Sequence, residues 1–224
     1  MQQRLDSQGL VLRAIDYKES QRILTVFTEK SGLISLIAKG LGKRRSDLRL
    51  LTSPLSLAEF HYVSGRGELY QLKDASLLLT HLELREQLTH LQAAGEICQA
   101  LLKTQLPGKP ATALYHLTLS YLKRIPSFQD PQVLVASFLL KLFKHEGVLS
   151  PGNSCMSCQA TATHLTRGEP VCATHASALS IELSREEWDQ FFVLLQAKEF
   201  SELHSLKLNA PFFAKVESVL QNIY

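Results

Sequence analysis

Four potential metal ligands stand as two pairs in the second half of the chain. Cys155 and Cys158 form a Cys-x2-Cys pair, and after thirteen intervening residues Cys172 and His175 form a Cys-x2-His pair. Structural zinc takes four thiolate or imidazole ligands in a tetrahedron, and a Cys-x2-Cys turn can place two sulfurs on one ion. A disulfide, or a group of free thiols, is the alternative. Four donors in two such pairs favour zinc, in a segment that we predict to span residues 151–178.

The two pairs would fill every position around the metal. A hydrolytic zinc needs three protein ligands and one open position. The sequence also contains no Gly-x-Ser-x-Gly motif, no phosphate-binding Gly-rich loop ending in Lys-Ser/Thr and no His-Glu-x-x-His motif. Glu186 and Glu187 are adjacent carboxylates, but the dipole of the helix that begins there accounts for them. We therefore expect a structural zinc and no enzymatic activity.

A second stretch, residues 39–49, is rich in positive charge. Five of its eleven residues are cationic, namely Lys39, Lys43, Arg44, Arg45 and Arg49. Because neutralised phosphates release counterions, such a loop can bind nucleic acid without sequence preference. A solvated surface loop is the alternative reading. The further cationic residues that could support a nucleic-acid surface are Arg13, Lys18, Arg22 and Arg66.

The charge and the aromatic residues of the N-terminal region point the same way. Residues 1–80 contain twelve Lys/Arg and eight Asp/Glu, a net of +4, whereas residues 81–224 contain twelve and thirteen, a net of −1. Single-strand binders pair a basic groove with aromatic side chains on which bases stack. The candidates are Tyr17, Phe27, Phe60, Tyr62 and Tyr70. Strand alternation should put several of these rings in the core.

The hydrophobic period changes near residue 80. Before it, five short alternating segments predict strands at 9–17, 21–28, 32–40, 55–63 and 68–75, with hairpin turns at 29–32 and 64–67. Five such strands suit a small closed barrel of the OB or SH3 type. After residue 80, helical spacing predicts helices over 81–102, 112–124, 130–147, from the capping box Ser184–Glu187 onward, and from 210. The expected fold class is α+β, with a domain at 1–80 and a helical domain at 81–224 that contains the zinc segment.

The composition is that of an ordinary globular protein, with 45% hydrophobic and 20% charged residues. The first seventeen residues have no apolar core of a signal peptide, and no apolar run approaches the length of a membrane span. Four cysteines, three of them in the metal motif, suit a reducing compartment. We expect a cytoplasmic protein.

Three motifs resemble the RecO family of bacterial recombination mediators. The first is the opening stretch GLVLRAIDYKESQRILTVFTEKSGLISLIAKG, residues 9–40, and the second is Gly65-Arg66-Gly67-Glu-Leu-Tyr70. The third is Gly147-x3-Pro151-x3-Cys155-x2-Cys158, the approach to the metal cysteines. The chain departs from many relatives at His175, where they have a fourth cysteine. Imidazole is an acceptable zinc ligand, so the departure keeps the site.

The resemblance implies an N-terminal OB-fold, a helical domain and a zinc knuckle. It also implies binding of single- and double-stranded DNA, annealing of complementary strands and, with RecR, loading of RecA onto DNA coated by single-strand binding protein. The helical domain would bind the acidic C-terminal tail of that coating protein, and the protein would associate with the nucleoid. Basic residues flanked by apolar helix positions are the tail-binding candidates, namely Lys123, Arg124, Lys141 and Lys144.

Two other functions remain open from the residues alone. The chain could be an adaptor whose barrel binds peptide while the basic loop is only solvated. It could also be a zinc hydrolase, which would require metal-dependent turnover of a phosphoester or peptide. Retention on single-stranded DNA at low salt, with elution at moderate salt, separates the adaptor from a DNA-binding protein.

Overall fold

The structure, a computed structural model, describes residues 4–40, 46–65, 67–150 and 152–221. Its contacts divide the chain into two compact units, Met1–Lys123 and Arg124–Tyr224. The first unit therefore contains two helices that follow the strands as well as the strands themselves. The functional boundary at residue 80 stays a prediction.

The first unit is built on a closed barrel of five strands in the order β1-β2-β3-β5-β4. β1 pairs with both β2 and β4, and every neighbouring pair is antiparallel except β3 with β5. This confirms the predicted fold class, an α+β chain that starts with a five-stranded OB-fold barrel. The strands are β1 Arg4–Tyr17, β2 Gln21–Thr28, β3 Gly32–Lys39, β4 Leu57–Val63 and β5 Leu69–Leu79, and the short helix α1, Ser46–Leu51, lies between β3 and β4.

The barrel is filled by the inward residues of each strand. Leu24 and Val26 of β2, Leu36 of β3 and Phe60 of β4 are fully buried and belong to one cluster. Their spacing of two follows the strand period, which sends alternate side chains to one face. Leu51 of α1 packs into the same cluster, 5% exposed. Each such side chain contributes about 1.5–3 kcal/mol of burial free energy, so the barrel has a core of its own.

The β2–β3 turn lies against the loop that joins the two helices of the first unit. Gly32 has φ +64°, and a Cβ there would lie 1.9 Å from the carbonyl oxygen of Lys109. The N–H of Gly108 donates to the carbonyl oxygen of Leu33 at 2.9 Å. The turn predicted at 29–32 is confirmed, and glycine is required at its last position by conformation and by space.

The first helix after the strands begins later than the hydrophobic pattern suggests. Residues 82–85 form a 3₁₀ turn, preceded by His81 in the left-handed conformation at φ 47°. The regular helices are α2, Leu88–Thr104, and α3, Thr112–Arg124. The prediction of one helix from residue 81 is therefore wrong for its first turns, because Gln87 is extended at φ −129° and ψ 137° and separates the 3₁₀ turn from α2. The bounds predicted for α3 are confirmed.

The second unit contains three longer helices, α4 Gln132–His145, α5 Arg185–Gln196 and α6 Ala210–Gln221. In α4 every residue from Val133 to Leu140 is buried, as its all-round apolar pattern predicts. The assigned N-cap of α4 is Pro131, one residue after the predicted Asp130, although the Asp130 carboxylate still accepts from the N–H of Gln132 at 3.1 Å. In the described ranges, no helix combines the length and apolar character needed to cross a membrane.

The predicted capping box at the start of α5 is confirmed. The N–H of Glu187 donates to the hydroxyl oxygen of Ser184 at 3.2 Å, and the N–H of Ser184 donates to the Glu187 carboxylate at 2.8 Å. Lys215 of α6 donates to the same carboxylate at 2.7 Å. The cap therefore fixes the start of α5 and links it to α6.

Candidate metal centre and nucleic-acid interface

A small sheet carries the metal ligands of the second unit. β6 (His164–Thr166) lies between β7 (Glu169–Val171) and β8 (Ile181–Glu182), both antiparallel to it. The β6–β7 hairpin turns through Arg167 and Gly168, at φ 50° and 79°. Two consecutive positive φ angles are the geometry of a type I′ turn, which matches the twist of the two strands. A Cβ at position 168 would lie 1.9 Å from the Val148 carbonyl oxygen, so the hairpin tip is closely packed.

The first ligand pair lies in a tight turn before β6. The N–H of Cys155 donates to the Ala160 carbonyl at 2.7 Å, and the N–H of Gln159 donates back to the Cys155 carbonyl at 2.9 Å. Gln159 takes the left-handed conformation at φ 63°, which reverses the chain. The N–H of Met156 donates to the Pro170 carbonyl at 3.0 Å. These bonds tie the Cys-x2-Cys turn to β7.

The second ligand pair follows directly from β7. Cys172 precedes a 3₁₀ turn, Ala173–His175, and the N–H of His175 donates to the Cys172 carbonyl at 3.0 Å. The turn has three residues per revolution, so positions 172 and 175 lie one above the other on the same side. The hairpin thus places the Cys172 sulfur and the His175 imidazole beside the first ligand pair.

The four ligand atoms form a compact group that could hold a metal ion, all within 4.8 Å of one another. The sulfurs of Cys158 and Cys172 are 3.7 Å apart, and the His175 Nδ1 lies 3.6 Å from the Cys155 sulfur and 3.3 Å from that of Cys172. A tetrahedral zinc with usual bond lengths would separate its sulfurs by about 3.8 Å and sulfur from nitrogen by about 3.6 Å. The donor set therefore fits zinc. All four cysteines lie in the described part of the chain, and none forms a disulfide.

The surroundings of the cluster favour the thiolate form of Cys155 and Cys172, whereas desolvation and the neighbouring cysteine sulfurs raise the pKa of Cys158. Burial raises the pKa of Cys155, but N–H groups of Cys172, Ser157 and Cys158 that point to its sulfur outweigh burial and lower the pKa to about 6. A hydrogen bond with His175 lowers the pKa of Cys172 despite desolvation, and the same contact raises the pKa of His175. Metal ligation needs the thiolate form, so these backbone donors prepare the site.

The apolar cluster beside these ligands is small. Cys155, Val171 and Cys172 are its buried members, and Ala176 packs partly against it. Two of the three buried members are metal ligands themselves, so this cluster alone has little apolar area with which to hold the segment. The ligand geometry and the closed set of four donors fit a structural metal better than a catalytic one.

Three cross-strand rows of residues form the outward face of β1, β2 and β3. All nine side chains are exposed or half-buried, whereas the intervening Leu24, Val26 and Leu36 are fully buried. We call this surface the outward β1–β3 face. Its rows are Arg13–Thr25–Ser35, Ile15–Ile23–Ile37 and Tyr17–Gln21–Lys39.

The outward β1–β3 face contains two of the predicted DNA-binding cations, Arg13 and Lys39, both exposed. Lys18 lies in the adjoining β1–β2 turn, with its Nζ 5.4 Å from the centroid of the Tyr17 ring. Arg49 is exposed in the last turn of α1. The predictions for Lys43, Arg44, Arg45 and Arg66 fall outside the described residues.

Arg22 is placed differently from a free surface cation. Its side chain is only 16% exposed, and its Nε donates to the Asp16 carboxylate at 2.8 Å. Its Nη1 donates to the Thr52 hydroxyl at 3.3 Å. The hydrogen bond from Arg22, with its charge, holds the pKa of Asp16 below its usual value. Arg22 thus joins β1, β2 and the residue after α1, and its charge is largely neutralised.

The aromatic candidates divide as strand alternation predicts. Phe27 and Phe60 are fully buried, and Tyr62 is 1% exposed. Tyr17 is 44% exposed on the outward β1–β3 face. Tyr70 is half-buried, with its ring centroid 5.2 Å from that of Tyr62. Tyr17 is therefore the candidate ring on the outward β1–β3 face, whereas Tyr70 packs partly against the barrel core.

The isoleucine row was missed by the sequence reasoning. Ile15 is 45% exposed between the cationic and aromatic rows, and Ile23 and Ile37 lie beside it on β2 and β3. The available signal was position: each isoleucine falls two residues from a polar outward residue of its own strand. Together the rows give this face cationic groups at both ends and apolar area between them.

Two of the four candidates for tail binding already have partners in the second unit. The Lys141 Nζ donates to the Ala197 carbonyl at the end of α5, and burial lowers the pKa of Lys141. The Arg124 guanidinium lies 5.5 Å from the centroid of the Phe200 ring. Lys144, near the end of α4, is exposed, and Lys123 is an exposed residue of the first unit.

Comparison with known proteins covers almost the whole chain. Residues 1–81 match the family model "Recombination protein O N terminal", and residues 85–224 match "Recombination protein O C terminal". The chain is 31% identical over 198 residues to the DNA repair protein RecO of Chlamydia pneumoniae, covering 87% of this chain and 78% of that protein. It is 30% identical over 210 residues to that of Chlamydia muridarum, covering 92% and 88%. With its five-stranded barrel, its helical region and a metal-ligand cluster, the chain belongs to the RecO family of DNA repair and recombination proteins.

Proposed function

We propose that the protein is a recombination mediator that acts by binding and not by catalysis. It binds single- and double-stranded DNA, anneals complementary strands and, with RecR, helps to load RecA onto DNA coated by single-strand binding protein. The observation that carries this proposal is the outward β1–β3 face, where a RecO-family barrel presents Arg13, Tyr17 and Lys39 around a row of isoleucines. Backbone charge and apolar platforms are the two requirements of a single-strand binder.

The face supports annealing through two physical effects. Cations that neutralise phosphates reduce the repulsion between two approaching strands and give affinity without sequence preference. The isoleucine row and the Tyr17 ring offer apolar contact to unstacked bases, which keeps a strand extended and its pairing edges accessible. No bond is made or broken in this process, so we propose no enzymatic step. The basic residues Lys43, Arg44, Arg45 and Arg66 are included in the proposal as further DNA-contacting cations on the basis of their charge.

The metal would be zinc in a structural role. Cys155, Cys158, Cys172 and His175 would hold it, and it would supply a cross-link between the Cys-x2-Cys turn and β7. This proposal rests on the ligand distances and on the small apolar cluster beside them. A metal-linked segment would be stable only with its ion, as in other small zinc modules.

We assign the two kinds of partner to the two predicted domains. Residues 1–80 bind DNA, and residues 81–224 bind proteins, including RecR and the acidic tail of the coating protein. Among the basic candidates for the tail, Lys144 is an exposed cation of the second unit, whereas Lys141 and Arg124 have partners. The protein would work in the bacterial cytoplasm, at the nucleoid.

The test is annealing of two complementary single strands followed by a fluorescent donor–acceptor pair. The wild-type protein should accelerate annealing, including on strands coated with single-strand binding protein, and free tail peptide should suppress the reaction on coated strands only. The Arg13→Ala/Lys39→Ala variant should lose the acceleration. Lys30→Ala/Lys73→Ala is the matched control, because it also removes two exposed cations of the barrel, and it should keep the acceleration. Absence of annealing by the wild type would contradict the proposal.

A further inference from the structure

The side of α2 that faces away from its buried residues carries an apolar stripe, which we call the outer α2 face. Its members fall within about 80° of one another at 3.6 residues per turn, namely Leu88, Leu91, Gly95, Gln99 and Leu102. Leu88 is 71% exposed, more than any other large apolar side chain in the described part of the chain, and Leu91 is 38% exposed. Single exposed leucines are ordinary, but a stripe of them on one helix face is typical of a surface that packs against a partner.

The centre of the outer α2 face is a glycine that the packing of the single chain does not require. A Cβ on Gly95 would meet nothing within 4 Å, and the residue lies in the middle of a regular helix. Glycine is less favourable than alanine in a helix interior, so Gly95 lowers the stability of α2. What glycine provides is room for a second backbone to come close. The position therefore indicates a contact that one chain alone does not make.

The residues on the two sides of Gly95 form a symmetrical pattern. Leu88 lies seven positions before Gly95, and Leu102 lies seven positions after it. Leu91 and Gln99 lie four positions before and four positions after. If two identical helices cross at Gly95 in antiparallel directions, Leu88 of each copy meets Leu102 of the other. A two-fold interface between identical subunits requires this self-complementary arrangement.

The charges beside the outer α2 face favour the antiparallel direction. Lys103 at the end of α2 and Glu86 before its start are both exposed, and neither has an ion-pair partner among the described residues. In the antiparallel pair, Lys103 of one copy lies at the level of Gln87 of the other, next to Glu86. A parallel pair would instead bring the two Lys103 ammonium groups together. The helix dipoles also oppose each other favourably in the antiparallel pair.

We propose that two copies of this chain associate through the outer α2 face, as an antiparallel helix pair with its two-fold axis at Gly95. The 17 residues of α2 give a face about 26 Å long and about 10 Å wide. This area is smaller than the roughly 800 Å² per partner of a standard interface, so the dimer is weak and reversible. The association is independent of the proposed DNA binding, and its failure would leave that proposal unchanged.

The first test is sedimentation velocity of the full chain between about 1 and 300 µM, the range in which an interface of this size associates. The wild type should shift from monomer to dimer within this range. Leu88→Gln should raise the dissociation constant at least about 100-fold, because each dimer loses two buried leucines. Leu179→Gln is the matched control, since it makes the same change at a leucine that is 61% exposed in the second unit, and it should leave the dissociation constant unchanged. A wild type that stays monomeric throughout, or an equal effect of the two variants, overturns the proposal.

The second test examines the direction and register of the helix pair. Leu88→Cys and Leu102→Cys chains are mixed at a concentration where the wild type is dimeric, and a thiol cross-linker that spans about 10 Å, the distance between packed helix axes, is added. The mixture should yield a covalent dimer of the two variants. Each variant alone should yield only the background from the native cysteines, because the two copies of position 88 lie about 21 Å apart along the helix axes. Equal yields from the mixture and from either variant alone overturn the antiparallel pair.

Discussion

Removing the two exposed cations of the outward β1–β3 face should weaken single-strand binding in a salt-dependent way. Arg13 and Lys39 lie at opposite rows of this face, and neither has an ion-pair partner among the described residues. Both are therefore available to phosphates. The double variant Arg13→Ala/Lys39→Ala removes two charges from positions outside the barrel core, so the fold should be preserved.

The magnitude follows from counterion release. Each lost phosphate contact lowers the slope of log affinity against log salt by about 0.7 for single strands, so two contacts lower it by about 1.4. If the two proteins bind equally at 1 M salt, where the electrostatic contribution vanishes, the variant should bind about 25-fold more weakly than the wild type at 0.1 M salt. The ratio between the two proteins should shrink about sevenfold between 50 and 200 mM salt.

The assay is fluorescence anisotropy of a labelled single strand titrated at several salt concentrations. Lys30→Ala/Lys73→Ala is the control, because it removes the same charge from the barrel at positions outside the outward β1–β3 face. Lys30 pairs with Asp6 at 2.7 Å, and Lys73 donates to the Gln71 side chain at 3.0 Å. An unchanged slope in the Arg13/Lys39 variant, or an equal change in the control, would refute the reasoning.

Three further predictions concern the metal, two glycines and the basic loop. Cys155→Ser should reduce bound zinc, measured by metal analysis, from about one ion per chain to a small fraction. It should also lower the thermal midpoint of the second unit, measured by circular dichroism, before DNA affinity changes. Cys98→Ser, at a buried cysteine outside the ligand cluster, should keep the metal. Gly168→Ala should destabilise by more than about 2 kcal/mol in urea, because a left-handed residue with a Cβ costs about 1–2 kcal/mol before the overlap with Val148 is added. By contrast, Gly95→Ala in α2, where a Cβ meets nothing within 4 Å, should stabilise by about 1 kcal/mol, and equal effects of the two changes would contradict the packing argument. Charge reversal of the three basic residues at 43–45 should lower both DNA affinity and its salt slope, and unchanged single-strand affinity would place the binding surface elsewhere.

The sequence was most informative where a short stretch decides its own geometry. The capping box Ser184–Glu187 and the turn that ends at Gly32 were both predicted, since caps and turns depend on the residue types at a few successive positions. The ligand cluster was predicted on the same basis, because the two ligands of each pair are three positions apart. Only the contact between the two pairs depends on the fold. Strand alternation also placed Phe27 and Phe60 in the core.

The limits appeared where a residue's role depends on distant parts of the chain. Arg22 has the positive charge expected of a DNA-binding residue, but Asp16 largely neutralises that charge. Its second partner, Thr52, lies thirty positions away in the sequence. The helical pattern after residue 80 did not reveal the left-handed conformation of His81, whose ring nitrogen bonds the Leu55 carbonyl at 2.9 Å. Such contacts form only after the barrel has closed, so no local pattern records them.

The sequence by itself determined that this chain has a metal-ligand cluster, a basic stretch at 39–49 and strands followed by helices. The tertiary structure decided which cations are free and which side chains share a surface. Parallel pairing of β3 with β5 closes the barrel across more than thirty residues of sequence, and that closure decides which side chains of these strands face the core. The physical reason is that residue type and spacing set local conformation, whereas long-range pairing sets which polar groups find partners and which remain available for DNA.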